Sequence, residues 1–210
     1  MAAAAVDVTP CVVDNSSFFG TGEGECEYLT SNRWPTKSNQ SGHGTTNWPR
    51  WGKQLRKDKG RTVMAGVEVR DLVAPHPLEG QRGLFATRAF QAFDIIGEYI
   101  GVVDGDVGGS GDYLACLERD EPDYLALGLD AEKAGNEARF INHYEGILEP
   151  STGAPTTPNL KMSGAYVDTL PRVMLIVKRD IAAGDELLLD YGKGYTNSHF
   201  SKDPEGIRAK

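Results

Sequence analysis

From Thr62 onward the chain reads as short apolar runs bounded by Gly, Pro and Asp. VMAGVEVRDL alternates apolar and polar positions, and GLFATRAF and DIIGEYIGVV follow it. After the glycine-rich GDVGGSG come YLALGLD, RVMLIVKRDI and ELLLDYG. Runs of this length with this punctuation predict strands rather than helices. Short helical turns are expected only at DYLACLERDE and KAGNEARFIN, so the fold class is mostly β with short helices.

Residues 1–61 have a different texture. They carry no sustained period of 2 or 3.6 and include the polar stretch SNQSGHGTTN, which predicts an irregular N-terminal arm. Trp34, Trp48 and Trp51 sit in it beside Pro35 and Pro49. Side chains of that size bury well, so part of the arm is expected to pack on the body. The division expected is an arm over 1–61, a β domain over 62–200 and a tail over 201–210.

Composition narrows the class. Hydrophobic residues are 40% and charged residues 25% of the 210, a globular balance. No apolar run reaches the ~18–20 residues that span a bilayer. No Lys or Arg precedes Arg33, which argues against signal and transit peptides. The expectation is a protein that is neither secreted nor held in a membrane. Cys11, Cys26 and Cys116 are widely spaced, and His43, His76, His143 and His199 complete no ligand cluster with them. Neither a disulfide framework nor a metal site is expected.

Charge is segregated. Arg50, Lys53, Arg56, Lys57, Lys59 and Arg61 face a single acid, Asp58, whereas residues 62–210 hold 14 basic and 24 acidic side chains. An acidic body attracts a basic protein partner and repels nucleic acid. Nucleic-acid binding is not expected beyond weak contact through residues 50–61.

Taken singly, Gly83, Asn142, His143 and Tyr191 are ordinary turn, capping or core residues. In order they are more specific. RGLFATRAFQAFDIIGEYIG, LDAEKAGNEARFINH, PNL at 158–160 and RVMLIVKRDIAAGDELLLDYG resemble the successive motifs of SET domains, across roughly Val67 to Tyr195. GNEARFINH and GDELLLDYG are the discriminating pair. The resemblance implies a SET-domain β-fold with a C-terminal pseudoknot, and protein-lysine N-methylation from S-adenosylmethionine.

It also assigns roles. Tyr191 and Tyr113 would be catalytic. Gln81, Arg82, Gly83, Leu84, Arg139, Asn142, His143 and Tyr191 would meet the cofactor, and Tyr99, Tyr144, Tyr195 and Phe200 would wall the substrate channel. A histone H3 tail is the favoured substrate, which places the protein in the nucleus, or otherwise the cytoplasm. A non-histone substrate and an inactive SET-like binding module are the alternatives.

The sequence departs from the family in several places. Gln81-Arg82-Gly83 stands where many members have Gly-x-Gly, and Tyr144-Glu145 follows the Asn-His pair. EGILEPSTGAPTT lengthens the interval before Pro158-Asn159 and is expected to be a surface loop. The cysteine cluster that often follows Tyr-Gly is missing, leaving KGYTNSHF to close the channel. This zinc-free ending resembles plant histone H3 methyltransferases, and uncharacterised fungal and protist SET proteins also lack the cluster.

Overall fold

The computed structural model describes residues 15–19, 25–33, 64–104, 113–119, 126–167 and 170–192. In chain order its strands are β1 (Glu27–Tyr28), β2 (Val67–Asp71), β3 (Arg82–Ala86), β4 (Ile95–Tyr99), β5 (Val102–Asp104) and β6 (Leu114–Arg119). They continue with β7 (Ala126–Asp130), β8 (Ala134–Gly135), β9 (Asn142–His143), β10 (Leu160–Val167), β11 (Leu170–Val177) and β12 (Leu188–Leu189). Among the described residues helix is limited to 3₁₀ turns at Ser16–Phe18 and Glu137–Phe140. Among the described residues no helix is long and apolar enough to cross a membrane.

Three antiparallel units carry the fold. β2 pairs with β3 from Val67↔Ala86 to Asp71↔Arg82. β10, β11 and β4 form one sheet, and β5, β7 and β6 a second, each in that order. Val67, Val69, Leu84 and Ala86 alternate inward along the β2–β3 hairpin, as a period of 2 requires. They join Phe90, Leu129, Ile141, Leu175 and Leu187 in one core. Each of the Val, Leu, Ile and Phe side chains among them contributes about 1.5–3 kcal/mol on burial.

The expected strands form. KAGNEARFIN supplies its turn at Glu137–Phe140. DYLACLERDE does not: Leu114–Arg119 is strand β6, because Ala115 and Leu117 alternate into the core while Cys116 faces out. LKMSGAYV, whose Lys, Ser and Gly hide any apolar period, is strand β10. EGILEPSTGAPTT is a loop with its tip outside, but Ile147 and Thr156 at its two ends are buried.

Parts of the arm lie against the body. β1 pairs in parallel with β8, and Arg33 bridges to Val102. Phe18 and Phe19 pack edge-on against Phe140, and Asn15 Oδ1 accepts the N–H of Val69. The three tryptophans and the tail over 201–210 lie outside the described residues.

Candidate functional site

Two motif asparagines build the frame. Asn136 Nδ2 donates to the carbonyl of Glu98 at 2.9 Å, and its Oδ1 accepts the N–H of Ile100. Asn159 Nδ2 donates to the carbonyl of Glu186 at 2.8 Å, and its Oδ1 accepts the N–H of Leu188 at 2.8 Å. The closing segment is thereby clamped to Asn159 while β12 pairs in parallel with β9. Glu98 and Arg172 form a buried ion pair at 2.8 Å behind this frame.

That clamp delivers Tyr191 to β9. Its backbone N–H donates to His143 Nδ1 at 3.1 Å, its ring lies 5.4 Å from the His143 ring, and its hydroxyl donates to the carbonyl of Ile141. Because Nδ1 of the neutral imidazole is an acceptor here, Nε2 carries the proton and points toward Glu145 at 3.5 Å. His143 is buried, so the ring orients the chain around it.

A cleft of about 700 Å³ opens beside Tyr191. Its walls include Leu114–Cys116 of β6 and Leu160–Gly164 of β10, and Tyr99, Ile141 and Tyr191 also line it. Among the described residues β6 pairs only with β7 and β10 only with β11, so both present a strand edge. Tyr99 is 5% exposed and donates its hydroxyl to the carbonyl of Tyr113 at 2.8 Å. Burial, with Tyr191 nearby, pushes that phenol far above its ordinary range, so it stays a donor.

Arg139 braces this end of the site. Its guanidinium sits 4.3 Å from the Tyr113 ring centre and 5.0 Å from that of Phe140. Nε donates to the carbonyl of Ala131 at 2.9 Å and Nη2 to that of Glu132. It therefore fixes Tyr113 from behind.

Asn142 turns away from Tyr191, as successive residues of a strand do. Its Nδ2 donates to the carbonyl of Arg82 and to Glu186 Oε1, both at 3.0 Å. Gly83 leaves the space that Glu186 fills, since a Cβ there would meet Glu186 Oε1 at 2.7 Å and displace the carboxylate. Leu84 is fully buried and its carbonyl accepts the N–H of Leu187, so it supports this corner from within. Gln81 is exposed at the start of the strand.

The structure thus brings Tyr99 and Tyr191 to the cleft wall and Arg82, Gly83 and Asn142 to a neighbouring corner, while Tyr113 and Arg139 stand outside the lining, joined to it through the Tyr99 hydroxyl. Tyr144 is not among the cleft residues; its ring packs 4.8 Å from that of His143. Tyr195 and Phe200 lie outside the described residues. Sequence reasoning missed the Ile141 carbonyl, the β10 wall and Glu186. An acid amid the apolar residues of ELLLDYG was the available signal for Glu186; a backbone carbonyl leaves none.

Residues 81–192 match the SET domain family. The chain belongs to that family. Its closing strand β12 lies parallel to β9 and is locked there by Asn159. A Gallus gallus protein named histone-lysine N-methyltransferase SUV39H2 is 32% identical over 83 residues, 38% of this chain and 17% of that protein. The Arabidopsis thaliana histone-lysine N-methyltransferase SUVR3 is 40% identical over 68 residues, 32% of this chain and 17% of that protein. The matched stretch is under a fifth of either relative. The crystal structure of ATXR5 in complex with a mono-methylated histone H3.1 superposes with a TM-score of 0.53 at 23% identity, covering 80% of this chain and 81% of that one. That likeness concerns the SET fold.

Proposed function

We propose that this chain is a protein-lysine N-methyltransferase that uses S-adenosylmethionine and acts on a histone H3 tail in the nucleus. The observation that carries the reading is the Tyr191 hydroxyl, held on the Ile141 carbonyl at the wall of a cleft bordered by two strand edges. An extended peptide pairs with such an edge through its main chain. Its lysine then reaches inward toward Tyr99, Ile141 and Tyr191. The names of the SUV39H2 and SUVR3 relatives support the reaction class, and the acidic body favours a basic tail.

The residues present fit the cofactor. Both N–H groups of Asn142 are committed inward, so its oxygen is the atom left to receive a donor such as the cofactor's ammonium or amine. Arg82, Gly83 and Asn142 would hold it at that corner. When bound, S-adenosylmethionine supplies an electrophilic methyl on a sulfonium, a good leaving group.

The chain's own part is to deliver a neutral amine in line. Burial beside Tyr99, Ile141 and Tyr191, with the like charges of Lys161 and Lys178 on the same wall, disfavours the ammonium form, so the substrate lysine sheds its proton to water before reaction. The neutral amine would be the nucleophile, and the cofactor's sulfonium would supply the methyl it receives. Tyr191 holds the line of attack, and Tyr99, its hydroxyl on the Tyr113 carbonyl, closes the wall.

The test incubates the full chain with isotope-labelled cofactor and separate samples of recombinant H3 and nuclear extract, with calorimetry for S-adenosylhomocysteine in parallel. Labelled lysine on H3 is the expected result. Label only on other proteins replaces H3 by a non-histone substrate. Absence of both label and cofactor binding leaves an inactive binding module and sinks the proposal.

A further inference from the structure

We propose that His76, on the turn between β2 and β3, is a positioning residue for the cofactor, acting through Glu186 on the amide of Asn142. The inference rests on the reading of Asn142 given above. His76 lies outside the stretch that matches the SET family, 110 residues from Glu186 in sequence.

The orientation follows from hydrogen-bond sense alone. The backbone N–H of Leu78 donates to His76 Nδ1 at 3.1 Å, so in the neutral ring the proton is on Nε2. Nε2 lies 3.0 Å from Glu186 Oε2 and donates to it. Glu186 Oε1, the other carboxylate oxygen, accepts from Asn142 Nδ2. The second Asn142 proton goes to the Arg82 carbonyl. Turning the amide over would set its oxygen against a carboxylate and a carbonyl together. The carboxylate therefore dictates that Oδ1 faces outward, and His76 holds the carboxylate.

Burial gives the arrangement its strength. The side chains of Glu186 and His76 are 9% and 17% exposed, so the contact is little screened by solvent. A Cβ at position 83 would meet Glu186 Oε1 at 2.7 Å, so a larger residue there would push the carboxylate from this position. A cavity of about 140 Å³ touches both His76 and Glu186, with Arg179, Glu149 and Asp185 also on its wall. Water entering there can replace part of what His76 supplies, so losing His76 should matter less than altering Glu186.

Glu186→Gln is the sharper change. A carboxamide accepts on one side only, yet donors face it from both. His76 cannot exchange tautomers without losing the Leu78 N–H, so the Asn142 amide is driven to turn over.

The experiment measures S-adenosylhomocysteine affinity by calorimetry for the full chain and for Glu186→Gln, His76→Ala and His76→Gln. The ¹⁵N–¹H signals of the Asn142 side-chain amide, assigned by their loss in Asn142→Asp, are followed alongside. Glu186→Gln should bind about 10-fold more weakly, the size of one lost buried hydrogen bond. His76→Ala should lose roughly 3-fold, and His76→Gln, which keeps a donor in place, should recover most of it. Both weakened variants should shift the Asn142 amide signals. Should His76→Ala fail to fold, His76→Phe retains the ring without the donor. Equal affinity in all variants overturns the inference, and so does equal weakening by His76→Ala and His76→Gln. If the unmodified chain binds no S-adenosylhomocysteine, the cofactor reading falls, and unmoved Asn142 amide signals would separately sink the relay.

Discussion

Tyr191 sets its ring against His143, its backbone N–H on His143 Nδ1 and its hydroxyl on the Ile141 carbonyl. Tyr191→Phe removes only the last. Melting temperature and S-adenosylhomocysteine affinity should change little, while single-turnover methylation should fall by roughly 10²-fold, as for a lost positioning group. Near-normal turnover would take the hydroxyl out of the reaction. Tyr99 makes a different prediction. Its phenol has a folded pKa raised above the ordinary 10.0, so the folded state keeps a proton that the unfolded state gives up. Its contribution is complete below pH 10 and is lost as pH climbs from there toward the folded value. Chemical denaturation across that alkaline range should show a loss of about 1.4 kcal/mol per pH unit from this group. Tyr99→Phe should remove that slope; an unchanged slope would mean the alkaline loss comes from other groups.

At the scale of elements, strands buried on alternate positions were legible because their pattern is their burial. β2 and β3 show it most plainly. β10 was not legible, because an edge strand along a cleft buries little and Lys161, Ser163 and Gly164 record that exposure. β6 was misread because Leu114, Leu117 and Glu118 also suit a helical spacing, and only pairing with β7 decides. Within the candidate site, Asn142, His143 and Tyr191 stood out through local strings. Glu186 and His76 meet only through the fold, and no linear pattern joins them. The lengthened loop divides the same way. Leu148 bridges Pro155, and the tip from Glu149 to Ala154 is held mainly by its own turns, while Ile147 and Thr156 anchor the base. Thr156 Oγ1 donates to the Tyr144 carbonyl, next to His143. Replacing Glu149–Ala154 by Asn-Gly should therefore leave cofactor affinity unchanged and melting nearly so, since loop length alone counts ~0.6 kcal/mol per doubling. Loss of S-adenosylhomocysteine binding in a folded variant would show that the tip belongs to the site.

At the scale of the whole molecule, two properties remain to be tested: what holds the chain together and what draws the substrate in. Among the described residues no group of three His, Cys, Asp or Glu is placed to hold a metal, and residues 193–210 contain no cysteine. Among the described residues two hydrophobic clusters, the larger one central, the Asn136 and Asn159 clamps and the Glu98–Arg172 pair support the structure. Chelators should leave the melting temperature unchanged and elemental analysis should find no stoichiometric zinc. A full equivalent of zinc would instead make metal part of the channel wall. Substrate capture should depend on charge. The chain carries a formal −8, and residues 62–210 carry −10 of their own. A basic peptide is then attracted over distances that salt shortens, to about 10 Å at 0.1 M ionic strength and less above it. Lys161 and Lys178 in the cleft oppose that attraction locally, so it must come from the body as a whole. Raising salt should increase KM for a basic peptide and leave kcat nearly constant, because the reacting atoms sit inside the wall where screening is weak. Steady-state kinetics on an H3 peptide at low and high salt reads this directly. A KM indifferent to salt would mean that cleft contacts, rather than the acidic body, select the substrate.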